Sequence, residues 1–185
     1  MIGSRPFSEE EISDLSNALA IGRDRCLFNL LIYTGFRIKE ILSLTVKDVM
    51  KNGDVCERVT VRRINMKGKI VSRNVLVKST VRVMLHDYIK KEALKGFNFL
   101  FKSQKGFNQP ISRQQAWRIL KAVAENLDGK ISLHSTRKTF AKRMYEHFKK
   151  DLLKTKEALG HKNVNSTISY LSFDTGEIDD AIESW

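Results

Sequence analysis

Apolar residues recur mostly at helical spacing along the chain, and this pattern predicts a mainly α-helical protein. Ser8 and Glu11 have the spacing of a capping box, and the apolar positions that follow share one helical face: Ile12, Leu15, Ala18 and Leu19. Residues 24–34 are apolar on nearly all sides, which is typical of a buried helix, and Gly35 is suited to end it. Further helices are predicted at about 38–42, 80–94, 113–127 behind a Ser112 cap, 135–148 and 152–159.

One part of the chain has a β pattern instead. Residues 57–64 and 70–77 are rich in β-branched side chains, and residues 65–69 between them supply turn formers. This predicts an antiparallel hairpin whose tip carries Lys67 and Lys69. The expected fold class is therefore mainly α with a small antiparallel β-sheet. No repeat, low-complexity tract or linker is visible, so residues 1–185 are predicted to form a single domain.

Charge is strongly segregated along a chain whose formal net charge is +12. Residues 58–86 contain eight Lys or Arg and no carboxylate, whereas residues 174–185 contain five carboxylates and no base. Such segregation favours a nucleic acid as partner, because lysines and arginines that neutralise phosphates release counterions. A solvated surface, a membrane face or an acidic protein partner would also fit the charge alone.

Other broad classes are disfavoured by the composition. No apolar run approaches the roughly 20 residues needed to span a bilayer, and no signal peptide is visible. We therefore expect a soluble, cytoplasmic protein. Two isolated cysteines are too few for a disulfide framework or a cysteine-based metal site, and Cys26 lies in an apolar run typical of a core.

An arginine stands at the start of the predicted helix 38–42. In Thr34-Gly-Phe-Arg37 it follows a glycine that ends a helix, and Glu40 lies one helical turn further on. The guanidinium could bind two phosphate oxygens while Glu40 holds its geometry. Taken alone, such a pair is most simply a surface ion pair.

Histidines and a tyrosine form the remaining candidate chemistry. His134 and Arg137 share one face of a predicted helix, which places a proton carrier beside a phosphate-binding group. His161 follows Gly160 at a predicted helix end, and Tyr170 stands nine residues later. Each has an ordinary explanation by itself: a chance pair, a helix cap, and a half-buried core aromatic.

The ordered combination of these motifs is more specific than any one of them. Thr34-Gly-Phe-Arg37, a lysine in a β-turn, His134-Ser-Thr-Arg137, Leu159-Gly-His161 and the following tyrosine resemble the catalytic domain of the tyrosine recombinase (phage integrase-like) family. The resemblance covers nearly the whole chain. It implies a protein that is encoded by a bacterium, an archaeon or a phage and is associated with the nucleoid. It implies the tyrosine recombinase catalytic-domain fold, the DNA breaking-rejoining enzyme fold, and a site-specific recombinase that acts on double-stranded DNA by integration, excision or inversion.

The resemblance also implies roles for individual residues. Arg37 and Arg137 would hold the non-bridging oxygens of the scissile phosphate, while His134 and His161 add hydrogen bonds and His134 helps to move the tyrosine proton. Tyr170 would attack phosphorus, leaving a 3′-phosphotyrosine and a free 5′-hydroxyl. No metal and no cofactor is expected, because the arginines take the place of a divalent cation.

The lysine that protonates the leaving oxygen is less sharply defined. Lys67 is favoured because it precedes Gly68 as in many members of the family, but Lys69 also lies at the hairpin tip, and register cannot be read from the sequence. Thr136 and Lys138 depart from the Leu and His that often flank the second arginine, and we expect them to alter packing, not chemistry. Four basic residues are predicted to contact DNA: Lys69, Arg73, Arg113 and Lys138.

Most members of the family carry an N-terminal helical domain that closes a clamp around DNA, and this chain is expected to lack it. Together with the acidic C-terminus, this predicts that the protein depends on neighbouring protomers. Short members that resemble the fimbrial phase-variation invertases lack this clamp; an excised catalytic domain would look the same. Residues 174–185 are predicted to form a tail helix with one apolar face. The resemblance implies docking on the next protomer of a synaptic tetramer; folding back on its own core is the alternative. Accessory DNA-bending proteins are left open as partners.

Three other functions remain as alternatives. A type IB topoisomerase-like nicking and closing enzyme would share the chemistry, and a non-catalytic DNA-binding regulator would share the fold. The complete set of active-site residues argues against the regulator, since binding needs charge but no nucleophile. An RNA-binding module is disfavoured because no RNP, KH or zinc pattern is present.

Overall fold

Helices dominate the structure, a computed structural model that describes residues 4–61, 73–171 and 183–184. The first helix, α1 (Glu9–Ala18), begins at a capping box in which the Ser8 hydroxyl accepts the Glu11 amide and the Glu11 carboxylate accepts the Ser8 amide. The second, α2 (Arg23–Thr34), ends because Gly35 adopts a left-handed conformation with φ of 58°. Both predicted helices are confirmed, except that Ala18 at the end of α1 is exposed.

The later helices fall close to their predicted positions. The predicted helices 80–94 and 113–127 end early, at Lys91 and Val123, because Ala93 adopts a positive φ and residues 126–129 contain the turn formers Asn, Asp and Gly. Two short helices, α4 and α9, were not predicted. In order these helices are α3 (Ile38–Leu42), α4 (Val46–Val49), α5 (Ser79–Lys91), α6 (Arg113–Val123), α7 (Leu133–His147), α8 (Leu152–Leu159) and α9 (Asn165–Ile168).

Two antiparallel hairpins lie between α4 and α5. The strands β1 (Met50–Lys51) and β2 (Asp54–Val55) are joined by Asn52 and Gly53, which both have positive φ, as a tight hairpin turn requires. This Asn-Gly signal was overlooked in the sequence. The strands β3 (Arg58–Val61) and β4 (Arg73–Leu76) form the predicted hairpin, with Val61 paired to Arg73. Its tip, with Lys67 and Lys69, lies outside the described residues.

Two compact units divide the chain, Met1–Phe140 and Ala141–Trp185. In the first, α2 packs against α1 and α5, and its own Leu30 and Ile32 are fully buried. Cys26 is a core residue as predicted, and burial raises the pKa of its thiol to about 12. In the second unit, α8 packs against α9.

The mainly α fold with small antiparallel sheets confirms the predicted fold class. The single-domain assignment stays a prediction, and most of the predicted tail, 174–182 with Trp185, lies outside the described residues. Among the residues that are described, no helix has the length and apolar character needed to cross a membrane.

Candidate active site

The corner between α2 and α3 carries the first candidate arginine. After Gly35, the fully buried Phe36 anchors the chain, and Arg37 is the N-cap residue of α3. The Arg37 amide donates to Glu40 Oε2 at 2.8 Å, and its guanidinium Nη1 donates to Glu40 Oε1 at 2.9 Å. Glu40 is 2% exposed whereas the Arg37 side chain is 38% exposed, so a buried carboxylate holds an arginine that faces solvent. The predicted ion pair of Arg37 and Glu40 therefore forms. It differs from an ordinary surface pair because its carboxylate is buried away from water.

The second candidate arginine approaches the same corner from α7. Arg137 is 1% exposed, and its guanidinium Nη1 donates to the carbonyl oxygen of Gly35. One turn earlier, His134 lies at the exposed start of α7, where its amide donates to the Ser132 hydroxyl at 3.1 Å. The predicted spacing of His134 and Arg137 thus places an exposed imidazole and a buried guanidinium on one helix.

Four cations lie close enough to the His134 imidazole to affect its pKa. Partial desolvation, followed by the positive charges of Arg113, Arg137, Arg37 and Lys138, lowers the pKa of His134 below its usual 6.5. The imidazole is therefore mainly neutral at pH 7 and able to accept a proton. This electrostatic coupling shows that the fold brings five sequence-predicted site residues into one region, where an anion would relieve their mutual repulsion.

Two of these four cations, Arg113 and Lys138, were predicted to contact DNA. Arg113 lies at the start of α6, and Lys138 lies on α7. Arg113 is the exposed first residue of α6, whose cap is the predicted one: the Ser112 hydroxyl accepts the Gln115 amide at 3.0 Å. Lys138 follows Arg137 on α7, and partial burial lowers the pKa of its ammonium group. Neither placement conflicts with the predicted DNA contact, which stays a prediction.

Arg73, one of the four basic residues predicted to contact DNA, is buried in the structure. Its side chain is 8% exposed, and its guanidinium points inward from β4. Nη2 donates to the Thr34 carbonyl at 2.9 Å, Nη1 donates to the Gly35 carbonyl at 3.2 Å, and Cζ lies 4.8 Å from the centre of the Phe36 ring. The predicted DNA contact of Arg73 stays a prediction, and the structure places this charge beneath the protein surface.

In the second unit, the nine-residue spacing of His161 and Tyr170 becomes a ring contact. Gly160 ends α8 with φ of 60°, and His161 follows it, buried. The imidazole Nδ1 lies 2.9 Å from the hydroxyl of Thr167, which fixes the ring orientation. The short α9 then returns the chain so that the Tyr170 ring lies 5.3 Å from the His161 ring, centre to centre, at a tilt of 51°. Tyr170 is half-buried.

Two contacts were not predicted from the sequence. They are the hydrogen bond of Thr167 to His161 and the hydrogen bonds of Arg73 to the carbonyls of Thr34 and Gly35. A hydroxyl between His161 and Tyr170 was visible, but its contact depends on α9, which the hydrophobic pattern did not predict. The two candidate lysines, Lys67 and Lys69, lie outside the described residues. Within the described ranges, no cluster of three or more His, Cys, Asp or Glu could hold a metal ion.

Comparison with known proteins gives a consistent set of relatives. Residues 5–176 match the phage integrase family. The chain is 35% identical over 160 residues to tyrosine recombinase XerD of Corynebacterium glutamicum, covering 85% of this chain and 50% of the relative. It is 33% identical over 154 residues to the probable integrase/recombinase YoeC of Bacillus subtilis, covering 82% of this chain and 78% of the relative. The chain thus spans about half the length of that XerD.

Solved structures share the fold. The crystal structure of XerA recombinase superimposes with a TM-score of 0.77 at 21% identity, covering 100% of this chain and 66% of the other. XerH site-specific recombinase, in a post-cleavage complex with a palindromic difH substrate, gives a TM-score of 0.74 at 23% identity, covering 97% of this chain and 52% of the other. These similarities confirm the tyrosine recombinase fold that the sequence motifs implied.

Proposed function

The chain belongs to the phage integrase family, and we propose that it cleaves and rejoins DNA at specific sites through a 3′-phosphotyrosyl intermediate. The observation that carries the proposal is the group of four cations around His134. Such a group is costly without an anion, and it combines two arginines suited to a phosphate with a neutral proton acceptor. The XerH structure is a post-cleavage complex with a palindromic difH substrate, and by this similarity we infer that the anion bound here is double-stranded DNA.

The covalent step starts from Tyr170. Its phenolic oxygen attacks phosphorus and forms a P–O bond, the phenol proton passes to His134, and the bond to the 5′ oxygen breaks. The departing oxygen takes a proton and becomes a 5′-hydroxyl. Because the phosphotyrosine conserves the energy of the broken diester, attack by another 5′-hydroxyl rejoins the strand without a further energy source.

Charge stabilisation comes from the two arginines. In the transition state, the pentacoordinate phosphorus carries extra negative charge on its non-bridging oxygens, and we assign these oxygens to Arg37 and Arg137. Glu40 and the Gly35 carbonyl orient the two guanidiniums before substrate arrives, which lowers the reorganisation cost of the reaction. His161, oriented by Thr167, donates a further hydrogen bond to the phosphate.

The nucleophile is tested with a nicked suicide substrate, from which the cleaved 5′ fragment diffuses away. The wild-type chain should accumulate a covalent protein–DNA adduct, and Tyr170→Phe should abolish it while DNA affinity is retained. Tyr145→Phe removes the hydroxyl of another half-buried tyrosine and should leave the adduct intact. Adduct formation by Tyr170→Phe would remove Tyr170 from the mechanism, and no adduct on any cognate site would favour a non-catalytic regulator.

We assign the proton for the leaving 5′ oxygen to Lys67. A 5′-bridging phosphorothiolate has a leaving group that needs no proton, so it should restore cleavage by Lys67→Ala. For Lys69→Ala, the cleavage rate relative to wild type should be the same on the phosphorothiolate as on the ordinary phosphodiester. Rescue of Lys69→Ala alone would transfer the role to Lys69. Rescue of neither or both variants would contradict a single lysine acid.

The acidic tail is proposed to join protomers. Residues 174–185 carry five carboxylates and no base in a chain of net charge +12, which favours docking on a basic neighbour within a synaptic tetramer. Deleting residues 174–185 should retain single-site DNA binding but lower the yield of two-site synaptic complexes in native gels. Unchanged synapsis would instead support docking of the tail on its own core.

A further inference from the structure

We propose that Arg73 is a positioning residue for DNA cleavage, acting by fixing the turn from which Arg37 emerges and to which Arg137 is bonded. This inference rests on the proposed function and adds to it a residue that does not touch the phosphate. It explains why a positive charge was placed inside the protein, where the sequence had suggested a surface contact.

The first support is the set of groups that Arg73 binds. Its guanidinium donates to the carbonyls of Thr34 and Gly35 at 2.9 and 3.2 Å. These carbonyls lie at the end of α2, where the last turn of a helix has no intrahelical donors. A cation at this position also interacts favourably with the negative end of the helix dipole. Arg73 therefore ties β4 to the end of α2.

The second support is an acceptor shared by two arginines. The Gly35 carbonyl oxygen accepts from Arg73 and also from Arg137. A carbonyl oxygen has two lone pairs, so the two guanidiniums together use its full capacity. Arg37, the N-cap residue of α3, follows only two residues later. A displacement of the Gly35 peptide would therefore move both arginines that we assign to the phosphate.

The third support is the tight packing of this turn. The Arg73 guanidinium lies over the Phe36 ring at 4.8 Å and near the Phe140 ring at 6.0 Å, in cation–π geometry. A Cβ built on Gly35 would lie 2.3 Å from Phe140 Cδ1, so the backbone and the ring are already in close contact. Close-packed interiors transmit displacement from one residue to the next. Removing the Arg73 side chain would therefore shift the guanidiniums of Arg37 and Arg137.

The charged form of Arg73 is disfavoured by its surroundings in the folded protein. Burial, followed by repulsion from Arg137, lowers the pKa of Arg73 to about 9, which still leaves it protonated at pH 7. A second buried cation beside Arg137 is an unfavourable choice for stability alone. It suits a site whose ligand is a phosphate, since the anion would offset the repulsion.

The test compares Arg73→Met with Arg25→Met, a matched control. Arg25 also donates its guanidinium to two backbone carbonyls, those of Leu19 and Asn17, but at the end of α1. Both variants should lower the urea midpoint of unfolding. Under single-turnover conditions at saturating protein, Arg73→Met should slow adduct formation by about 100-fold, as expected for a misplacement on the order of 1 Å, and Arg25→Met by less than about threefold. DNA affinity should change little in either.

A second substrate separates positioning from general destabilisation. A methylphosphonate at the scissile position lacks one charged non-bridging oxygen, so cleavage depends less on two well-placed arginines. On it, the deficit of Arg73→Met should shrink to below about tenfold. Arg73→Lys keeps the charge and one hydrogen bond and should recover part of the rate; it replaces Arg73→Met, with Arg25→Lys as control, if the methionine variant does not fold.

Two results would overturn the inference while leaving the proposed function intact. One is a rate for the folded Arg73 variant no lower than that of the Arg25 control; the other is an equal deficit on both substrates. If the wild-type chain forms no adduct, the proposed function fails, and the inference fails with it. These outcomes are distinguishable, because the wild-type reaction on the ordinary phosphodiester reports on the proposed function alone.

Discussion

Gly35 shows how much a single position can decide in this protein. Its left-handed φ ends α2, its carbonyl binds Arg73 and Arg137, and its missing side chain admits the Phe140 ring. The sequence indicated only the first of these three roles. The other two depend on residues that are about 40 and 100 positions away along the chain.

We predict that Gly35→Ala destabilises the protein by more than Gly53→Ala. Both glycines have positive φ, which costs an alanine about 1–2 kcal/mol, but only the new Cβ at position 35 meets another atom, Phe140 Cδ1 at 2.3 Å. Nothing lies within 4 Å of the corresponding atom at position 53. Urea unfolding measures both losses, and equal losses would show that Phe140 moves aside without cost.

His134 is the residue whose chemistry is most clearly set by its neighbours. Its pKa is depressed, so the protonated imidazole is disfavoured in the folded state. By linkage, this group contributes no penalty above the unfolded pKa of about 6.5 and costs stability as the pH falls below it. The neutral form needed to accept the Tyr170 proton is thus maintained at pH 7.

We predict that Arg113→Met raises the pKa of His134 toward its usual value, because it removes the largest single charge contribution to the lowering. An NMR titration of the imidazole in the free protein measures this directly. Arg118→Met, five residues along the same helix, is the control: Arg118 is not among the described residues whose charges lower this pKa. A shift of equal size in both variants would mean that net charge alone sets the pKa.

At the scale of elements, the N-terminus of α1 combines a local capping box with a contact to a residue far away in the chain. The capping box of Ser8 and Glu11 is a local feature, but Arg5 also donates to both Glu11 oxygens at 2.6 and 2.8 Å. Arg5 Nε in turn donates to the Asp128 carbonyl at 2.7 Å, which connects the start of the chain to the loop before α7. The Arg5 contacts could not be read from helical periodicity.

We predict that Glu11→Gln lowers the free energy of unfolding by about 1 kcal/mol at pH 7, allowing for partial exposure of the ion pair. The Arg5 hydrogen bonds lower the pKa of Glu11 below 4.5, so its contribution is present above 4.5 and is lost as the pH falls through the folded pKa. Urea unfolding between pH 7 and 3 should show the variant and wild type converging. Glu10→Gln, in the same turn but exposed, should change little at any pH.

At the scale of the whole molecule, the net charge of +12 is the dominant physical property. Segregated charge was enough to favour a polyanionic partner, because that inference concerns long-range electrostatics and needs no fold. Charge could not rank the individual cations, however. Arg73 and Arg113 both lie in basic stretches without a carboxylate, yet Arg73 is buried and Arg113 is exposed at a helix start.

We predict that Lys138→Met weakens DNA binding to a similar extent on specific and nonspecific duplexes and reduces the slope of log affinity against log salt by about 1. The reason is that a phosphate contact releases counterions without reading bases. Lys91→Met, an exposed lysine at the end of α5, should leave the slope unchanged. An unchanged slope for Lys138→Met would remove this lysine from the DNA-binding surface.

The longer helices, the hairpin of β3 and β4, the family motifs and the positive charge could all be predicted from the amino-acid sequence. These depend on local chemistry: Ser8 and Ser112 cap helices, and Gly35 and Gly160 end them, whatever lies elsewhere in the chain. Where prediction failed, as for the short α4 and α9, the elements are too brief for periodicity to register and depend on their packing.

Which side chains contact one another became visible only in the folded protein. Sequence spacing placed His134 beside Arg137, but the joint use of the Gly35 carbonyl by Arg73 and Arg137 requires β4, α2 and α7 to meet. Likewise the contact of His161 with Thr167 required the turn of α9. The physical reason is that burial and hydrogen bonding depend on distances through space, and contacts between residues far apart in the chain leave no periodic pattern in its sequence.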